Sequence, residues 1–147
     1  MIKLVGAIMI VFATTYLGMN VSVQKRARVR QLFLLDKLAF EFAQEIGYSA
    51  EPHERLCGKY LNLEKYKELS MLDLDKLLIN IDEKKELLEF KSRLGKNGRE
   101  MQVILCENFS AKMHRLAEEA EKGLASDIKV INSVSFFGGI ILSLLIL

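Results

Sequence analysis

The chain has 147 residues, 50% of them hydrophobic and 27% charged, and a formal net charge of +2. A single proline and nine glycines are too few for a series of β-hairpins, so the composition favours helices joined by short connections. The positive charge does not indicate nucleic-acid binding, because all 19 acidic residues lie between Asp36 and Asp127 and five of the 21 Lys and Arg residues precede Gln31.

The first predicted element is a membrane-spanning helix over the uncharged residues 4–24. About 20 helical residues reach roughly 30 Å, the thickness of the hydrocarbon core of a bilayer. The cations that follow are Lys25, Arg26, Arg28 and Arg30. Because Arg or Lys at the bilayer centre costs roughly 2.5–3.5 kcal/mol, these side chains end the span, and the positive-inside tendency keeps them at the cytoplasmic membrane interface. A cleaved signal peptide is the alternative, although the segment lacks a clean small-x-small cleavage site.

The first helix is predicted to continue into the cytoplasm and to stop near Gly47, because no breaker interrupts it. Its apolar positions beyond the span are Leu32, Leu35, Leu38, Ala39, Phe42 and Ile46. Pro52 is predicted to open a short helix that ends near Tyr60, and residues 61–70 are ambiguous. Ser70 is then predicted to cap a helix that contains Leu72, Leu74, Leu77 and Leu78.

The last two predicted helices run from about Glu83 to Leu94 and from about Met101 onward, separated by a turn over Gly95–Gly98. The longer helix has apolar residues every three or four positions, which is typical of an amphipathic helix. These residues are Met101, Leu105, Phe109, Met113, Leu116, Ala120, Leu124, Ile128 and Ile131. This helix is predicted to enter the membrane without a break over the uncharged residues 130–147. The second span is only just long enough to cross, and an interfacial helix is the alternative.

Together these elements predict an all-α protein, a helical bundle built on two long helices that continue into N- and C-terminal transmembrane segments. The boundaries are a transmembrane helix over 4–24, a cytoplasmic helical domain over 25–129 and a second transmembrane helix over 130–147. Both spans have their cations on the side of the middle domain, so both predict a cytoplasmic location for it.

No pattern typical of catalysis or of a cofactor site is visible in the sequence. Cys57 and Cys106 lack CxxC spacing, and a cytoplasmic location argues that both are reduced. A zinc site would need His53 or His114 as well, so a membrane-anchored metalloenzyme is the least favoured hypothesis. No glycine loop followed by Lys-Ser/Thr is present, so nucleotide hydrolysis is not expected. We expect no enzymatic activity, no metal or other cofactor and no small-molecule substrate.

Four segments of the sequence form a recognisable set. They are the N-terminal MIKLVGAIMIVFATTYLG, the helix from Gln31 that ends in Glu45-Ile46-Gly47-Tyr48, the turn Leu94-Gly95…Arg99-Glu100-x-Gln102, and the C-terminal Gly138-Gly139-Ile-Ile-Leu. Together they resemble the stage III sporulation protein AB family. The chain departs from the family pattern at Gly98, where an acidic residue is common, and at Glu51-Pro52-His53, where the family has Thr-Pro-Leu. Its middle is also shorter than the family leads us to expect.

The resemblance implies a platform subunit of the secretion-like channel between mother cell and forespore, in the mother-cell membrane, similar to the cytoplasmic domain of type II secretion F proteins. The implied partners are a sporulation ATPase-like protein of the stage III sporulation protein AA type and other membrane subunits of the complex. The positions expected to contact the ATPase are Glu45, Tyr48, Pro52, Gly95, Arg99 and Gln102. A structural membrane scaffold unrelated to secretion is the alternative function.

Overall fold

The computed structural model describes residues 2–48 and 53–146, which contain four α-helices and one 3-10 helix. In chain order these are α1 (Ile2–Tyr48), α2 (His53–Leu61), a 3-10 helix (Glu64–Leu72), α3 (Ile81–Arg93) and α4 (Arg99–Ile146). No strand occurs among the described residues. The predicted all-α fold, with two long helices that contact each other, is therefore confirmed.

The predicted continuity of both long helices is also confirmed, because α1 and α4 each run unbroken from their polar part into their apolar part. The contacts within the chain nevertheless group its residues into two compact units. The middle unit is Arg28–Glu119, and the terminal unit joins the N-terminal residues through Ala27 with those from Ala120 onward.

The middle unit has an apolar core to which all five helices contribute. The α1 positions predicted from helical spacing are all buried, and Leu32 and Phe42 are almost completely inaccessible to solvent. Other large core side chains include Leu61, Tyr66, Leu69, Leu77, Leu87, Phe90, Phe109 and Met113. Phe90 of α3 stacks on Phe109 of α4 with the ring centroids 4.2 Å apart, so aromatic packing fixes α3 against α4.

The predicted helix over Leu72–Leu78 is wrong, because the segment that follows the 3-10 helix forms turns and loop. Leu72 has a φ of 58°, a left-handed conformation that ends a right-handed helix. The side chain of Asp73 then accepts a hydrogen bond from the Asp75 N–H at 3.2 Å, an arrangement that favours a turn over a helix. Leu77 is buried and Leu78 is 45% exposed, so the leucine spacing reflects loop positions that alternate between core and solvent.

The start of α3 is tied to α1 through a single buried carboxylate. Glu83 is 3% exposed, and its Oε2 accepts a hydrogen bond from the Asn80 N–H at 2.7 Å, which caps the helix. The guanidinium of Arg28 forms an ion pair with the same carboxylate. Arg28 therefore holds the first turn of α3 against α1.

In the terminal unit, α1 and α4 pack antiparallel through small and polar residues. A Cβ at Gly139 would collide with Thr14 and approach the Val11 Cα to 3.1 Å, so the helix backbones are in close contact there. The Oγ of Ser22 hydrogen-bonds the Gly18 carbonyl at 2.9 Å and lies 3.0 Å from the side-chain oxygen of Asn132. Close backbones and interhelical polar contacts are the usual means by which helices associate in lipid.

Each long helix contains a segment that is long and apolar enough to cross a membrane, within Val5–Tyr48 and within Arg99–Leu145. Little of either segment is buried inside the protein, and large side chains such as Phe12 and Leu145 are more than 70% exposed. Exposed apolar surface on this scale marks a site of contact with lipid or protein. These observations point to membrane association.

Candidate partner-binding site

Arg99, at the start of α4, bonds to the end of α1. Its Nε donates a hydrogen bond to the Ile46 carbonyl at 2.7 Å, and its second guanidinium nitrogen donates to the Gly47 carbonyl. The last carbonyls of a helix have no partner within it and sit at the negative end of its dipole, so a guanidinium satisfies them well. Arg99 therefore caps α1 and joins the two predicted contact segments at one place in the middle unit.

The turn before α4 is closed by two further residues from the predicted set. Gly95 has a φ of 82°, a conformation that glycine adopts without steric cost. The side-chain amide of Gln102 donates a hydrogen bond to the Asn97 carbonyl at 2.7 Å. Both residues thus have an internal role in shaping this turn. Gly98 has open space around its Cβ position, so the glycine that replaces the family's acidic residue is not required sterically.

Glu45 is also bonded within the protein. Its carboxylate accepts hydrogen bonds from the Tyr60 hydroxyl at 3.0 Å and from the Lys59 amine at 3.2 Å, which link α1 to α2. These two bonds lower the pKa of the Glu45 carboxyl. Burial and the bond to Glu45 raise the pKa of the Tyr60 hydroxyl. Glu45 is therefore ionised at neutral pH and its orientation is fixed by α2.

Three large apolar side chains near this junction are exposed, and we call them the Tyr48 surface: Tyr48, Met101 and Ile104. Their exposed fractions are 91%, 55% and 49%. Met101 and Ile104 line a shallow hollow of about 490 Å³ together with Gly98, Arg99 and Glu100. Of the residues predicted to contact a partner, Tyr48 alone has its side chain fully available among those that the structure describes. Pro52 lies outside the described residues.

The sequence pattern does not distinguish Met101 and Ile104 as surface residues. Met101 belongs to the apolar stripe of α4 by its spacing, and the interior members Phe109 and Met113 of that stripe are buried as expected. The position of Met101 could have indicated its exposure, because Met101 lies in the first turn of its helix, directly after the Gly95–Gly98 turn.

The cations predicted to lie at the membrane interface are mostly paired with carboxylates. Lys25 lies 2.5 Å from Asp127 in the terminal unit. In the middle unit Arg28 pairs with Glu83, and Arg30 lies 2.5 Å from Glu68. Arg26 is exposed and forms no ion pair with the described residues.

A second polar cluster links α1 and α4 in the middle unit but lacks the geometry of a catalytic set. Ser110 donates a hydrogen bond to one oxygen of Asp36 at 2.5 Å, and Nδ1 of His114 lies 2.8 Å from the other. Since both side chains bind the carboxylate, and no bond joins Ser110 to His114 in the described part of the chain, they do not form a nucleophile and base pair.

The structure groups no three metal-binding side chains among those it describes. Cys106 is buried in the core of the middle unit, on α4. The side chains of His53 and Cys57 lie outside the described residues. The hypothesis of a Cys and His metal site therefore gains no support from Cys106 and His114.

No match to this chain was found among curated proteins or among solved structures. The family model for stage III sporulation protein AB matches residues 3–71 and residues 64–147, so the match covers nearly the whole chain. The two matched segments overlap at residues 64–71, within the middle of the chain, which is shorter than the family leads us to expect. The match over both long helices and the turn that precedes α4 shows that the chain belongs to the stage III sporulation protein AB family.

Proposed function

We propose that this sporulation-related protein is a non-enzymatic platform subunit of a secretion-like channel complex between mother cell and forespore. In this proposal its apolar segments anchor it in the mother-cell membrane and its middle unit faces the cytoplasm. There it docks an ATPase of the stage III sporulation protein AA type, beside other membrane subunits of the complex. The two apolar helical segments support the membrane location.

The observation that carries the docking proposal is the Tyr48 surface. Tyrosine and other large apolar side chains supply most of the binding energy at protein interfaces, particularly when they are held rigidly. Arg99 donates hydrogen bonds to the Ile46 and Gly47 carbonyls, so Tyr48, the last residue of α1, stands at a capped helix end. A rigid exposed anchor binds a partner with a smaller loss of conformational entropy than a mobile one.

The internal bonds of Arg99 and Gln102 change the way in which docking has to be tested. Alanine at either position removes a bond to main-chain carbonyls of the middle unit and so alters the shape of the surface as well as its chemistry. Loss of a partner in such a variant would not separate contact from folding. Tyr48 and Met101 are mostly exposed, and their substitution leaves the core intact.

The decisive experiment compares two double variants of the full chain in a native host during sporulation. Tyr48→Ala with Met101→Ala removes the surface, whereas Phe40→Ala with Leu88→Ala removes two apolar side chains that are 51% and 54% exposed elsewhere in the middle unit. We expect the first variant to lose the ATPase from co-purification while its membrane level stays normal. Interface anchors of this kind cost about 2 kcal/mol each, or roughly 30-fold in affinity.

The control variant should retain the ATPase and support normal development of engulfed forespores. Equal retention of the ATPase by both variants would refute docking at this surface. Recovery of self-contacts alone, without any ATPase, would favour the structural scaffold.

A further inference from the structure

The hollow in the Tyr48 surface contains a charged side chain that has no counterion of its own. The residues that line this hollow are Gly98, Arg99, Glu100, Met101 and Ile104. Glu100 is exposed and forms no ion pair within residues 2–48 and 53–146. Single exposed carboxylates are common on protein surfaces, so Glu100 gains a meaning only from the groups around it.

Arg99, the other charged residue of the hollow, is already engaged with α1. Its guanidinium donates hydrogen bonds to the Ile46 and Gly47 carbonyls, which lie at the negative end of the α1 dipole. The start of α4 adds a positive dipole end equivalent to about half an elementary charge. The full negative charge of Glu100 exceeds this partial charge, so the hollow attracts a cation more strongly than an anion.

Apolar side chains stand beside the Glu100 carboxylate. Ile104 lies four residues beyond Glu100 on α4 and three beyond Met101, and these spacings make side chains neighbours on a helix. Met101 and Ile104 are each about half-exposed. Gly98 has no side chain that could cover them, and a Cβ at its position would meet nothing within 4 Å. The hollow therefore combines an apolar wall with a free carboxylate.

The combination of wall and carboxylate discriminates between possible occupants. An apolar side chain would remove water from Glu100 without giving it a hydrogen bond, which is costly for a charged group. An acidic side chain would be repelled. Arginine and lysine pack an apolar stem on apolar surface while the charged head reaches a polar group. Arginine fits better, because its guanidinium is weakly hydrated and binds a carboxylate through two parallel hydrogen bonds.

We infer that the hollow receives an arginine side chain of the docked ATPase, with its stem on Met101 and Ile104 and its guanidinium paired with Glu100. This inference rests on docking at the Tyr48 surface, as proposed above, and specifies the chemistry of one contact within it. Arginine and tyrosine are both enriched among the residues that dominate binding energy at protein interfaces. Tyr48 and Glu100 then act as two separate anchors of one surface.

The test measures the affinity of the purified ATPase for the full-length protein in nanodiscs of neutral phosphatidylcholine. Glu100→Gln removes the charge and keeps the size of the side chain. Glu107→Gln is the matched control, because Glu107 is also exposed on α4 and forms no ion pair in the described part of the chain. We expect Glu100→Gln to weaken binding about 10-fold or more and Glu107→Gln to weaken it less than about twofold.

The salt dependence of binding separates a contact from a structural effect. The affinity of the wild-type protein should fall as the salt concentration rises, and Glu100→Gln should lose part of this dependence, because salt screens the pair. A structural effect of Glu100 on the first turn of α4 would weaken binding equally at every salt concentration. Weakening of that kind would overturn the inference.

The remaining outcomes distinguish this inference from the docking proposal. Full affinity of Glu100→Gln, with loss of binding by the Tyr48→Ala and Met101→Ala double variant, would overturn the inference and leave docking intact. Tighter binding of Glu100→Gln would also overturn it, because the occupant would then be apolar or acidic. Equal weakening by Glu100→Gln and Glu107→Gln would do so as well, since general attraction between charged surfaces would suffice. Full affinity of both Glu100→Gln and the double variant would refute docking at this surface together with the inference.

Discussion

Arg28 and Arg30 occupy neighbouring positions on α1, and each pairs with a glutamate, but their surroundings differ. Glu83 is almost completely buried, whereas the side chains of Arg30 and Glu68 are 64% and 44% exposed. An exposed pair contributes less than about 1 kcal/mol. A buried carboxylate that loses its partner is far more costly, because its charge has already left water.

Arg28→Ala should therefore loosen the first turn of α3, and Arg30→Ala should not. We expect a cost of about 3 kcal/mol for the first variant, which corresponds to roughly 100-fold faster amide hydrogen exchange over residues 80–86. The second variant should change exchange less than about fivefold. The measurement is hydrogen exchange of the full chain in nanodiscs with mass spectrometry. Similar exchange in both variants would contradict the role assigned to the Glu83 carboxylate.

His114 supplies a pH dependence whose sign follows from its neighbours. The hydrogen bond to Asp36, followed by the charges of Asp36 and Glu118, raises the pKa of the His114 imidazole. The charged imidazole thus stabilises the contact between α1 and α4 in the middle unit. This stabilisation is fully present below the unfolded pKa of about 6.5 and is lost as the pH rises through the higher folded value.

NMR titration of histidine-labelled protein should show His114 titrating above 6.5, its ordinary value. Asp36→Asn should bring its pKa back towards that value, because the main cause of the shift is removed. Glu118→Gln should lower it by less, since its contact with Nε2 is longer, at 3.5 Å. A pKa that is insensitive to Asp36→Asn would show that the pair does not form in solution.

Side chains that bond to main-chain atoms were the hardest to interpret from sequence. Arg99 and Gln102 looked like parts of a binding motif, and the structure uses both to satisfy carbonyls within the middle unit. Nothing in the spacing distinguishes an exposed Arg from one that caps a helix 50 residues earlier in the chain. That distinction depends on tertiary packing, which brings the end of α1 beside the start of α4.

At the scale of the helices, the sequence was most informative where a pattern was long. Leu32, Phe42 and Phe109 were placed in the core correctly, because helical periodicity accumulates over many turns. The helix predicted over Leu72–Leu78 was wrong because four apolar residues in so short a segment fit two structures equally well. One is a helix, and the other is a loop whose side chains alternate between core and solvent. The left-handed Leu72 decided between them, and sequence does not reveal that conformation in a non-glycine residue.

Two adjacent glycines of α4 provide a matched test of helix packing in the terminal unit. A Cβ at Gly139 would meet Thr14 and Val11, whereas a Cβ at Gly138 would meet nothing within 4 Å. Gly139→Ala should force α1 and α4 apart at a cost of about 1–3 kcal/mol. Gly138→Ala should leave the pairing unchanged.

Disulfide formation between Ser22→Cys and Asn132→Cys would report this separation, because the native side chains are 3.0 Å apart. We expect oxidation in membranes to form the bond efficiently with Gly138→Ala and several-fold more slowly with Gly139→Ala. Mass spectrometry of the linked peptides excludes products of the native cysteines. Equal rates in both backgrounds would contradict the close approach at Gly139.

Over the whole molecule, charge is distributed unevenly between two regions of different chemistry. Residues 4–24 and 130–147 carry no charge, whereas every acidic residue lies between Asp36 and Asp127. Exposed apolar side chains occur in both units, but within residues 2–48 and 53–146 only those of the uncharged segments lie in a stretch able to cross a membrane. The same substitution should therefore remove the protein from the membrane in one region and have little effect in the other, depending on whether the side chain meets lipid or water.

Phe12→Arg combined with Phe137→Arg places one cation in each uncharged segment, at side chains that are 72% and 61% exposed. A cation near the bilayer centre costs roughly 2.5–3.5 kcal/mol per span, so this variant should be lost from carbonate-washed membranes. Phe40→Arg with Leu88→Arg adds the same charge to exposed positions of the middle unit, where arginine remains hydrated. That control should stay in the membrane at the wild-type level. Extraction of both variants, or of neither, would mean that the uncharged segments are not what holds this protein in the bilayer.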